Sequence, residues 1–493
     1  MALLDTVRAE RLAKIEGLKA AGMEVYPART LRTHTNAQFL ENHATLLAAG
    51  ESAALAGRVM SLREHGGSLF VDLFDGTGKA QIYFQKESLG DAAFEQFTLL
   101  VDTGDIIEVG GGAFTTKRGQ PSLLGASWRM LAKSLVPVPD QWFGIKDEDE
   151  RYRKRYLDIL LSKDLAERIK RRSAFWNAFR QFLLERDFIE VETPVLETTT
   201  GGADARPFKT HHNALDIDVY LRISVGELWQ KRLMVAGLPK TFEIGRVFRN
   251  EGMSAEHAQD YTALEFYEAF KDYEAGMEMI VDLYRGIADT VYGTRVFTVR
   301  DFTIDLGAPW ERYDYCALIK KEFDIDPLSA TAEEVRSALT SRGIAFEEKG
   351  FNLERGVDLL WKQIRKTLGG PGFLVGVPVY LEPLAKRSHS DPRVVERFQV
   401  ILGGSEMGKG FSELNDPVDQ AGRFKRQQEL REAGDDEAQM NDADYVEALE
   451  YGMPPAFGFG VSERLFSFLE GVSIREGQIF PLLRPRPSGA RQD

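Results

Sequence analysis

Charged and aromatic residues crowd into one short segment, residues 248–267 (FRNEGMSAEHAQDYTALEFY). Arg249, Glu251 and His257 lie there between two runs, TFEIGRVF and YTALEFYEAF, whose alternating pattern predicts strands. In extended chain, an arginine and a glutamate two residues apart point to the same side. Such a pair can clamp an anion with the guanidinium and hold a cation or amine with the carboxylate. A solvated charged hairpin is the alternative.

Residues 403–410 (GGSEMGKG) nearly fit the phosphate-binding pattern G-x-x-x-x-G-K-[S/T]. Gly403, Gly408 and Lys409 are in place, but Gly410 has no hydroxyl to hold Mg²⁺. The next residues, FSELNDP, end in Asp-Pro instead of opening a long helix. Because the helix N-terminus that favours phosphate is then missing, the pattern argues against a phosphate loop.

The same stretch is better described as an acidic cluster, since Glu406 and Glu413 flank its glycines. Carboxylates beside a glycine-rich turn could hold Mg²⁺ against a triphosphate, or receive a substrate ammonium. A surface loop with charged residues explains them equally well, so both interpretations stay open at this point.

The third group of residues is GFGVSERLFSF (458–468), which predicts a strand that turns into a helix. Its two glycines allow another group to approach the backbone, and Arg464 comes early in the predicted helix. A guanidinium there could stack on an adenine ring or pair with a phosphate. Tight packing at the turn is the alternative explanation for the glycines.

The elements that must position these groups mix strands and helices without regular alternation. Strand-like runs include FIEVETPVL, broken at Pro194, VYLRIS, and segments near 373–381 and 396–402. They predict an α+β fold with a largely antiparallel sheet flanked by helices. Residues 314–370 are mainly helical in pattern and lack polar constellations, which suggests an inserted helical subdomain. A basic segment at 151–172 could lie along a phosphate backbone or form a solvated helix face.

The pattern is different in residues 55–134, where five short alternating runs carry glycine punctuation and one helix-like interruption. Five such strands suit a small OB-type β-barrel, whose open face binds single-stranded nucleic acid. A small barrel without a ligand fits the pattern too. Prolines in LVPVPDQW (135–142) predict a linker after this barrel.

Composition limits the class of protein. A chain of 493 residues predicts two or more domains, and 43% hydrophobic with 28% charged residues is typical of a soluble globular protein. No apolar run approaches the ~20 residues of a membrane helix. The one cysteine, Cys316, excludes an internal disulfide framework and favours a cytoplasmic location. A net charge of -14 argues against a surface that binds polyanions all over, so we expect no membrane or DNA partner.

In this order, FRNEG, SELND and GFGVSERL resemble the motifs of class II aminoacyl-tRNA synthetases, and FIEVETPVL resembles the first motif, whose proline lies at a dimer interface. The barrel resembles the subgroup for lysine, aspartate and asparagine. Within it, residues 201–224 and GFSELNDPVDQ are similar to the bacterial lysyl-tRNA synthetase family. The resemblance implies a homodimer that joins L-lysine to tRNA(Lys) through lysyl-adenylate, with ATP as substrate and Mg²⁺ as cofactor.

The resemblance also implies a division of the chain and a role for each matching residue. The segments would be a helical extension (1–54), an OB-fold anticodon-binding domain (55–134), a linker (135–150) and a catalytic domain (151–493) with a helical insertion (314–370). Catalysis would rest on Arg249, Glu251 and Arg464. ATP would contact Arg249, Glu251, His257, Tyr261, Glu406 and Arg464. Lysine would contact Gly202, Glu227, Arg249, Glu265, Tyr267, Lys409, Phe411 and Glu413. Mg²⁺ would be held by Glu406 and Glu413, and the anticodon by Arg58, Phe70, Gln81 and Gln120.

Some positions depart from the family pattern. Gln399 stands where a metal-binding glutamate is usual, and Lys409 replaces an asparagine. Together these changes shift the site by about two charge units toward positive. We therefore hypothesise that Lys409 partly substitutes for a Mg²⁺ ion. Gln120 stands where an anticodon-contacting glutamate is expected, and AQDYT, which contains Tyr261, replaces the common NPEFT.

Three rival functions make different demands on the residues. An aspartyl or asparaginyl enzyme would need a cation or an amide donor in its side-chain pocket, where Glu265 and Glu413 supply acid. A noncatalytic RNA-binding paralogue would be expected to lose Arg249 or Arg464. An enzyme that lysylates a protein would lack the barrel.

Overall fold

The computed structural model describes residues 2–139, 145–348, 350–435 and 437–486. Contacts divide the chain into two compact units, one formed by residues up to 161 together with the C-terminal end from 484, and one formed by residues 162–483. The helix that ends at Leu161 thus belongs to the first unit, although the sequence placed it in the catalytic domain. Residues 140–144 of the predicted linker lie outside the described residues. The domain limits drawn from the sequence stay predictions.

The first unit consists of helices around five strands. Its helices are α1 (Ala2–Ala20), α2 (Asn36–Glu41), α3 (His43–Ala49), α4 (Lys86–Leu89), α5 (Asp91–Leu100), α6 (Glu148–Arg153) and α7 (Arg155–Leu161). Its strands are β1 (Ser52–His65), β2 (Ser68–Phe74), β3 (Lys79–Gln85), β4 (Ile106–Thr115) and β5 (Pro121–Ala132). The strands close into a barrel in the order β1-β2-β3-β5-β4, with α4 and α5 between β3 and β4. The predicted OB-type barrel is confirmed.

Alternation of side chains explains why the barrel closes. In β2, Leu69, Val71 and Leu73 are buried in the barrel core, whereas Phe70 and Asp72 point outward and are half-buried. The inward residues are aliphatic and pack without polar atoms, so the outward face is free to carry rings and polar groups. The outer face is therefore where a ligand can be recognised.

The second unit is built around one large sheet. Its helices are α8 (Lys163–Leu184), α9 (Glu227–Val235), α10 (Tyr273–Ile287), α11 (Tyr315–Phe323), α12 (Ala332–Ser341), α13 (Leu353–Ile364), α14 (Pro417–Glu432), α15 (Ala443–Glu450), α16 (Arg464–Leu469) and α17 (Ile474–Gly477). Its strands are β6 (Ile189–Glu190), β7 (Leu196–Glu197), β8 (Lys209–His212), β9 (Ile217–Leu221), β10 (Lys240–Phe248), β11 (Asp260–Ala269), β12 (Val296–Val299), β13 (Phe302–Asp305), β14 (Glu311–Asp314), β15 (Gly372–Val375), β16 (Arg397–Leu402), β17 (Ser405–Ser412) and β18 (Ala456–Ser462). None of the helices within the described ranges is long and apolar enough to cross a membrane.

The large sheet has eight strands in the order β14-β15-β16-β17-β18-β11-β10-β6. Only its outermost pairs, β14 with β15 and β10 with β6, are parallel, so the predicted α+β fold with a largely antiparallel sheet is confirmed. Phenylalanine rings at Phe266, Phe398, Phe457 and Phe459 pack against each other on one face and join α8 and α10 in the core. The opposite face is left for the polar side chains of the site.

Strand β17 was missed by the sequence pattern, which indicated a glycine-rich loop at 403–410. Gly403 and Gly404 make the turn from β16 with positive φ angles, and the chain then runs through the middle of the sheet. Glycine is required there because a Cβ on Gly410 would lie 2.7 Å from the ring of Phe398. No helix begins after Lys409, which agrees with the rejection of a phosphate loop.

The basic segment at 151–172 is partly committed to ion pairs within the second unit. Arg171 binds Glu470 through two hydrogen bonds of 2.8 and 2.6 Å, and Arg168 lies 3.1 Å from Glu476. Side chains that hold α8 against the C-terminal helices serve the fold. A nucleic-acid contact by the rest of the segment stays a prediction.

Candidate active site

A cavity of about 600 Å³ in the second unit brings together the three groups of residues that the sequence indicated. The walls come from the β10–β11 hairpin, from β17 and from the junction of β18 with α16. Every residue predicted to serve catalysis, ATP, lysine or metal lines it: Gly202, Glu227, Arg249, Glu251, His257, Tyr261, Glu265, Tyr267, Glu406, Lys409, Phe411, Glu413 and Arg464. The segments are far apart in the chain, so the fold alone unites them.

One end of the cavity is a buried acid–tyrosine pair on β11. The hydroxyl of Tyr267 donates to Oε2 of Glu265 at 2.9 Å, and the backbone N–H of Val225 donates to Oε1 at 2.7 Å. Burial raises the pKa of Glu265 to about 7, and the nearby Glu227 carboxylate adds to this shift. Burial also raises the pKa of Tyr267, so the phenol stays protonated. A dry acidic pocket with fixed hydrogen bonds suits a ligand ammonium.

Glu413, just after β17, faces the same end and is only 1% exposed. Its Oε2 lies 2.5 Å from the ammonium of Lys231, whereas its Oε1 has no hydrogen-bond partner among the described residues. Burial raises the pKa of Glu413 to about 8, against the opposing effect of Lys231. A buried carboxylate oxygen without a partner is costly unless a donor arrives, so the site is built for a second ammonium.

Glycines leave the space that these carboxylates occupy. A Cβ on Gly458, in β18, would lie 2.1 Å from Oε1 of Glu413 and 2.5 Å from the ring of Tyr267. Gly202 has a φ of +86°, and a Cβ on it would lie 2.8 Å from Cβ of Glu227. Gly458, the first glycine of GFGVSERLFSF, is therefore required because Glu413 and Tyr267 fill the space that a side chain would take.

The other end of the cavity is organised by Arg464, the first residue of α16. Its Nη2 donates to Nε2 of His257 at 2.8 Å, and its Nε donates to the backbone carbonyl of Glu256 at 3.1 Å. Burial and the neighbouring Arg464 lower the pKa of His257, so the ring is neutral and can accept this bond. The junction thus fixes the loop between β10 and β11.

Arg249 and Glu251 lie just beyond the end of β10 and not within the strand, yet both face the cavity. The guanidinium of Arg249 lies over the ring of Tyr261, 5.7 Å from its centre, and its Nε donates to the carbonyl of Ile223 at 3.2 Å. These contacts hold the guanidinium in a defined place while its other donors stay available for an anion.

A metal fits only part of the predicted pair. Oε1 of Glu406 accepts a hydrogen bond from the indole of Trp361 at 2.7 Å, and its carboxylate is 28% exposed. Mg²⁺ commonly binds through one or two carboxylates together with substrate phosphates, so Glu406 suits it. Glu413 suits it less well, because Lys231 pairs with its Oε2 and leaves Oε1 alone, and its role as a metal ligand stays a prediction. Within the described ranges, no three His, Cys, Asp or Glu side chains gather into a metal site.

A charge network that the sequence did not reveal surrounds Lys409. Its ammonium lies 3.2 Å from Glu382, whose other oxygen lies 3.0 Å from Arg397. Arg397 also donates to the side-chain oxygen of Gln399 at 2.5 Å. Burial opposes ionisation of Glu382, but the two cations outweigh it and hold the pKa of Glu382 below its usual value. The ammonium of Lys409 is therefore paired, with a carboxylate that it shares with Arg397.

The helical segment 314–370 contributes to the cavity, contrary to the expectation that it lacks polar constellations. Besides Trp361, the side chains of Arg355, Asp358 and Lys362 on α13 line the wall. The sequence of α13 is strongly amphipathic, with a polar face. A surface helix would turn such a face to solvent, whereas here it lines the cavity.

The anticodon residues predicted in the first unit lie on the barrel but not all together. Phe70 stacks on Tyr83 at 4.7 Å between ring centres, and Tyr83 stacks on Phe114 at 5.5 Å. Gln81 shares β3 with Tyr83 and accepts a hydrogen bond from Ser122 at 2.9 Å. These three half-buried rings form one row on the barrel, and the sequence had indicated only its first member.

Arg58 and Gln120 lie apart from that row. Arg58 is opposite Phe74 on the neighbouring strand and donates to the carbonyl of Gly104 at 2.7 Å. Gln120 is exposed in the turn between β4 and β5. The structure therefore places Phe70 and Gln81 on the neighbouring strands β2 and β3 and leaves the other two at the margins.

The pattern of class II tRNA synthetases (D, K and N) matches residues 147–484, and that of OB-fold nucleic acid binding domains matches residues 53–131. Fold and site thus define a class II tRNA synthetase. Lysine–tRNA ligases from Roseiflexus castenholzii, Thermosipho africanus and Moorella thermoacetica are 42%, 41% and 42% identical to this chain. Each alignment covers 98% of this chain, and 99%, 97% and 98% of the respective relative. The chain belongs to the lysine–tRNA ligase family.

Proposed function

We propose that this enzyme activates L-lysine with ATP to give lysyl-adenylate and pyrophosphate, and then transfers the lysyl group to the 3′ end of tRNA(Lys). The observation that carries the proposal is the acidic end of the cavity, where Oε1 of Glu413 is buried without a partner beside the Glu265–Tyr267 pair. An ε-ammonium satisfies these groups, whereas an aspartate carboxylate or an asparagine carbonyl would be repelled by them.

Lysine would extend from this acidic end toward Arg249. Glu413 and Tyr267, with Glu265 behind them, would hold the ε-ammonium, and Gly202 and Glu227 would receive the α-ammonium. Phe411 supplies an apolar wall for the methylene chain, and Lys409 lies near the lysine carboxylate. This orientation is supported by the fact that all of these residues line one cavity.

ATP would occupy the end held by Arg464. Arg464 and Tyr261 would enclose the adenine, while His257 and Glu251 contact the nucleotide. Arg249 would neutralise both the α-phosphate and the attacking carboxylate as the pentavalent phosphorus forms. No general base is needed, because the lysine carboxylate attacks the α-phosphorus directly and pyrophosphate leaves. Catalysis is then positioning plus electrostatic stabilisation.

We propose Mg²⁺ as the cofactor, held by Glu406 together with the phosphates. When bound there, it would neutralise charge on the triphosphate and its leaving group. The proposal is supported by the side chain of Glu406, which lines the cavity and is 28% exposed although its Oε2 lies 3.8 Å from Arg365.

The barrel would bind the tRNA anticodon through Phe70, Tyr83 and Phe114. A second copy of the chain would cover the exposed apolar residues around the first motif, because Ile189, Val195, Leu196 and Ile217 are exposed together there. Analytical ultracentrifugation should find a dimer, and a monomer at micromolar concentration would refute this part. A cytoplasmic location is consistent with the free thiol of Cys316 and with supply of tRNA to the ribosome.

ATP–pyrophosphate exchange with each of the twenty amino acids tests the proposal. We expect exchange with lysine and none with aspartate or asparagine. Exchange with either of these but not with lysine would overturn the assignment of the acidic end.

A further inference from the structure

A lysine of the protein itself is buried behind the acidic end of the cavity. Lys231 lies one helical turn after Glu227 on α9, and its side chain is 0% exposed. Its ammonium is 2.8 Å from Oε1 of Glu227 and 2.5 Å from Oε2 of Glu413. Both carboxylates line the cavity, whereas Lys231 does not. It therefore reaches the site only through its two partners.

Aromatic rings complete the surroundings of this ammonium. The Nζ atom is 5.2 Å from the ring centre of Phe411 and 5.8 Å from that of Tyr267. An ammonium above two rings and between two carboxylates is held by attraction on every side, even though burial disfavours its charge. The pair with Glu413 is thus a fixed part of the wall.

The charges at this end can be compared with those of the ligand. Glu227, Glu265 and Glu413 are three buried or half-buried carboxylates, and Lys231 neutralises one of them. When all three are ionised, as the binding of an ammonium ligand favours, two negative charges remain, and lysine brings two ammonium groups. A ligand with one ammonium, such as norleucine, leaves one buried carboxylate unmatched, which is strongly unfavourable.

We propose that Lys231 is a positioning residue that determines specificity for lysine. It orients Glu227 and Glu413, and it leaves the pocket with the two negative charges that the two ammonium groups of the ligand match. The inference rests on the proposed function of this cavity. A purely structural role is the alternative, in which Lys231 only stabilises the packing of α9.

The test compares two buried lysines of the same chain. Lys231→Met removes the ammonium behind the pocket, and Lys133→Met is the matched control. Lys133 is also 0% exposed and lies 2.6 and 2.7 Å from Asp102 and Asp105, but in the barrel unit. The measurements are KM and kcat for lysine and ATP in pyrophosphate exchange, the ratio of lysine to norleucine activation, and the melting temperature of each variant.

We expect Lys231→Met to raise KM for lysine at least about tenfold and to lower the lysine-to-norleucine ratio, because Glu227 and Glu413 lose the group that holds them in place for the two ammonium groups. KM for ATP should stay within about twofold, and Lys133→Met should change neither KM. A folded Lys231→Met enzyme with normal KM and ratio for lysine overturns the inference, whatever its melting temperature.

Two further measurements keep the test decisive. If Lys231→Met does not fold, competition on the unmodified enzyme decides: cadaverine, a diamine without a carboxylate, should inhibit lysine exchange more strongly than L-norleucine. Stronger inhibition by norleucine overturns the inference. Glu413→Gln tests the proposed lysine pocket separately from the role of Lys231. Normal lysine exchange in that variant refutes the pocket itself, whereas lost exchange leaves only the role of Lys231 in question.

Discussion

The ammonium of Lys409 lies 3.2 Å from the carboxylate of Glu382. The sequence led to the hypothesis that Lys409 partly substitutes for a metal ion, because Gln399 replaces a carboxylate. The ion pair argues against this hypothesis, since Glu382 supplies a carboxylate there. Arg397 binds the same carboxylate, so the three groups together keep a single positive charge, where Lys409 and Arg397 alone would carry two. The substitutions at positions 399 and 409 are thus parts of one local rearrangement.

The first prediction concerns the metal. We expect Lys409→Asn to change the Mg²⁺ concentration for half-maximal exchange by less than about threefold, because its ammonium is already paired with Glu382. Glu406→Gln, which removes the proposed ligand, should raise that concentration strongly. Mn²⁺ binding measured by electron paramagnetic resonance in the presence of ATP gives a readout that does not depend on turnover. A large shift with Lys409→Asn would restore the hypothesis that its ammonium substitutes for Mg²⁺.

The second prediction concerns the acid that holds the ε-ammonium. Glu413→Gln leaves a buried ammonium without its carboxylate, which costs several kcal/mol, so kcat/KM for lysine should fall by more than about 100-fold. Glu197→Gln is the control, because Glu197 is also buried and accepts a hydrogen bond from Trp229 but lies outside the cavity. Equal losses in both variants would mean that the effect is on stability.

The third prediction is a pH dependence. The carboxyl groups with raised pKa values, about 7 for Glu265 and about 8 for Glu413, are neutral below those values and charged above them. Since lysine binds the charged forms, its dissociation constant should rise as pH falls from about 8 to 6, by up to about tenfold per unit for each group. Calorimetry in two buffers of different ionisation enthalpy should detect proton release on binding. A flat profile over this range would contradict the assignment.

The fourth prediction concerns the glycine that makes room for the acid. Gly458→Ala would place a methyl group 2.1 Å from the present position of Oε1 of Glu413, so the carboxylate must move and KM for lysine should rise about tenfold or more. Gly422→Ala on α14 is the control, because nothing lies within 4 Å of its Cβ position. That helical change should stabilise the protein by up to about 1 kcal/mol without affecting KM.

The fifth prediction separates the barrel from activation. Tyr83→Ala should weaken tRNA binding by about 1–3 kcal/mol, because it removes the middle ring of the stacked row. Pyrophosphate exchange without tRNA should be unchanged. The comparison is between KM for tRNA in aminoacylation and exchange by the same preparation, and a parallel loss of both would indicate damage to the fold.

Local sequence was sufficient for much of this site. The hairpin that carries Arg249, the junction at Arg464 and the barrel strand of Phe70 each lie in a short stretch with its own pattern of alternation or helical period. That these segments meet in one cavity could be predicted because all of their motifs resemble those of one family. Strand β17 could not, since glycines lower strand propensity, and the reason for them is a ring from another strand, that of Phe398.

The residues that were missed act through tertiary contacts. Glu382 meets Lys409 across 27 residues, and Trp361 reaches Glu406 across 45. No local pattern marks such pairs. Lys231 is different, because its spacing of four from Glu227 can be read in the sequence, although no helix was predicted there. What the sequence could not reveal is that both side chains point inward.

Strand β11 has a consequence for the size of substrate that the enzyme can use. Tyr261, Glu265 and Tyr267 all lie on one face of it, and it pairs with β10 without a register shift from the proposed adenine end to the proposed ammonium end. Six residues of strand span about 20 Å. The strand therefore works as a ruler: an amino acid one methylene shorter than lysine can keep its terminal ammonium in place or bring its carboxylate to the phosphorus, but not both.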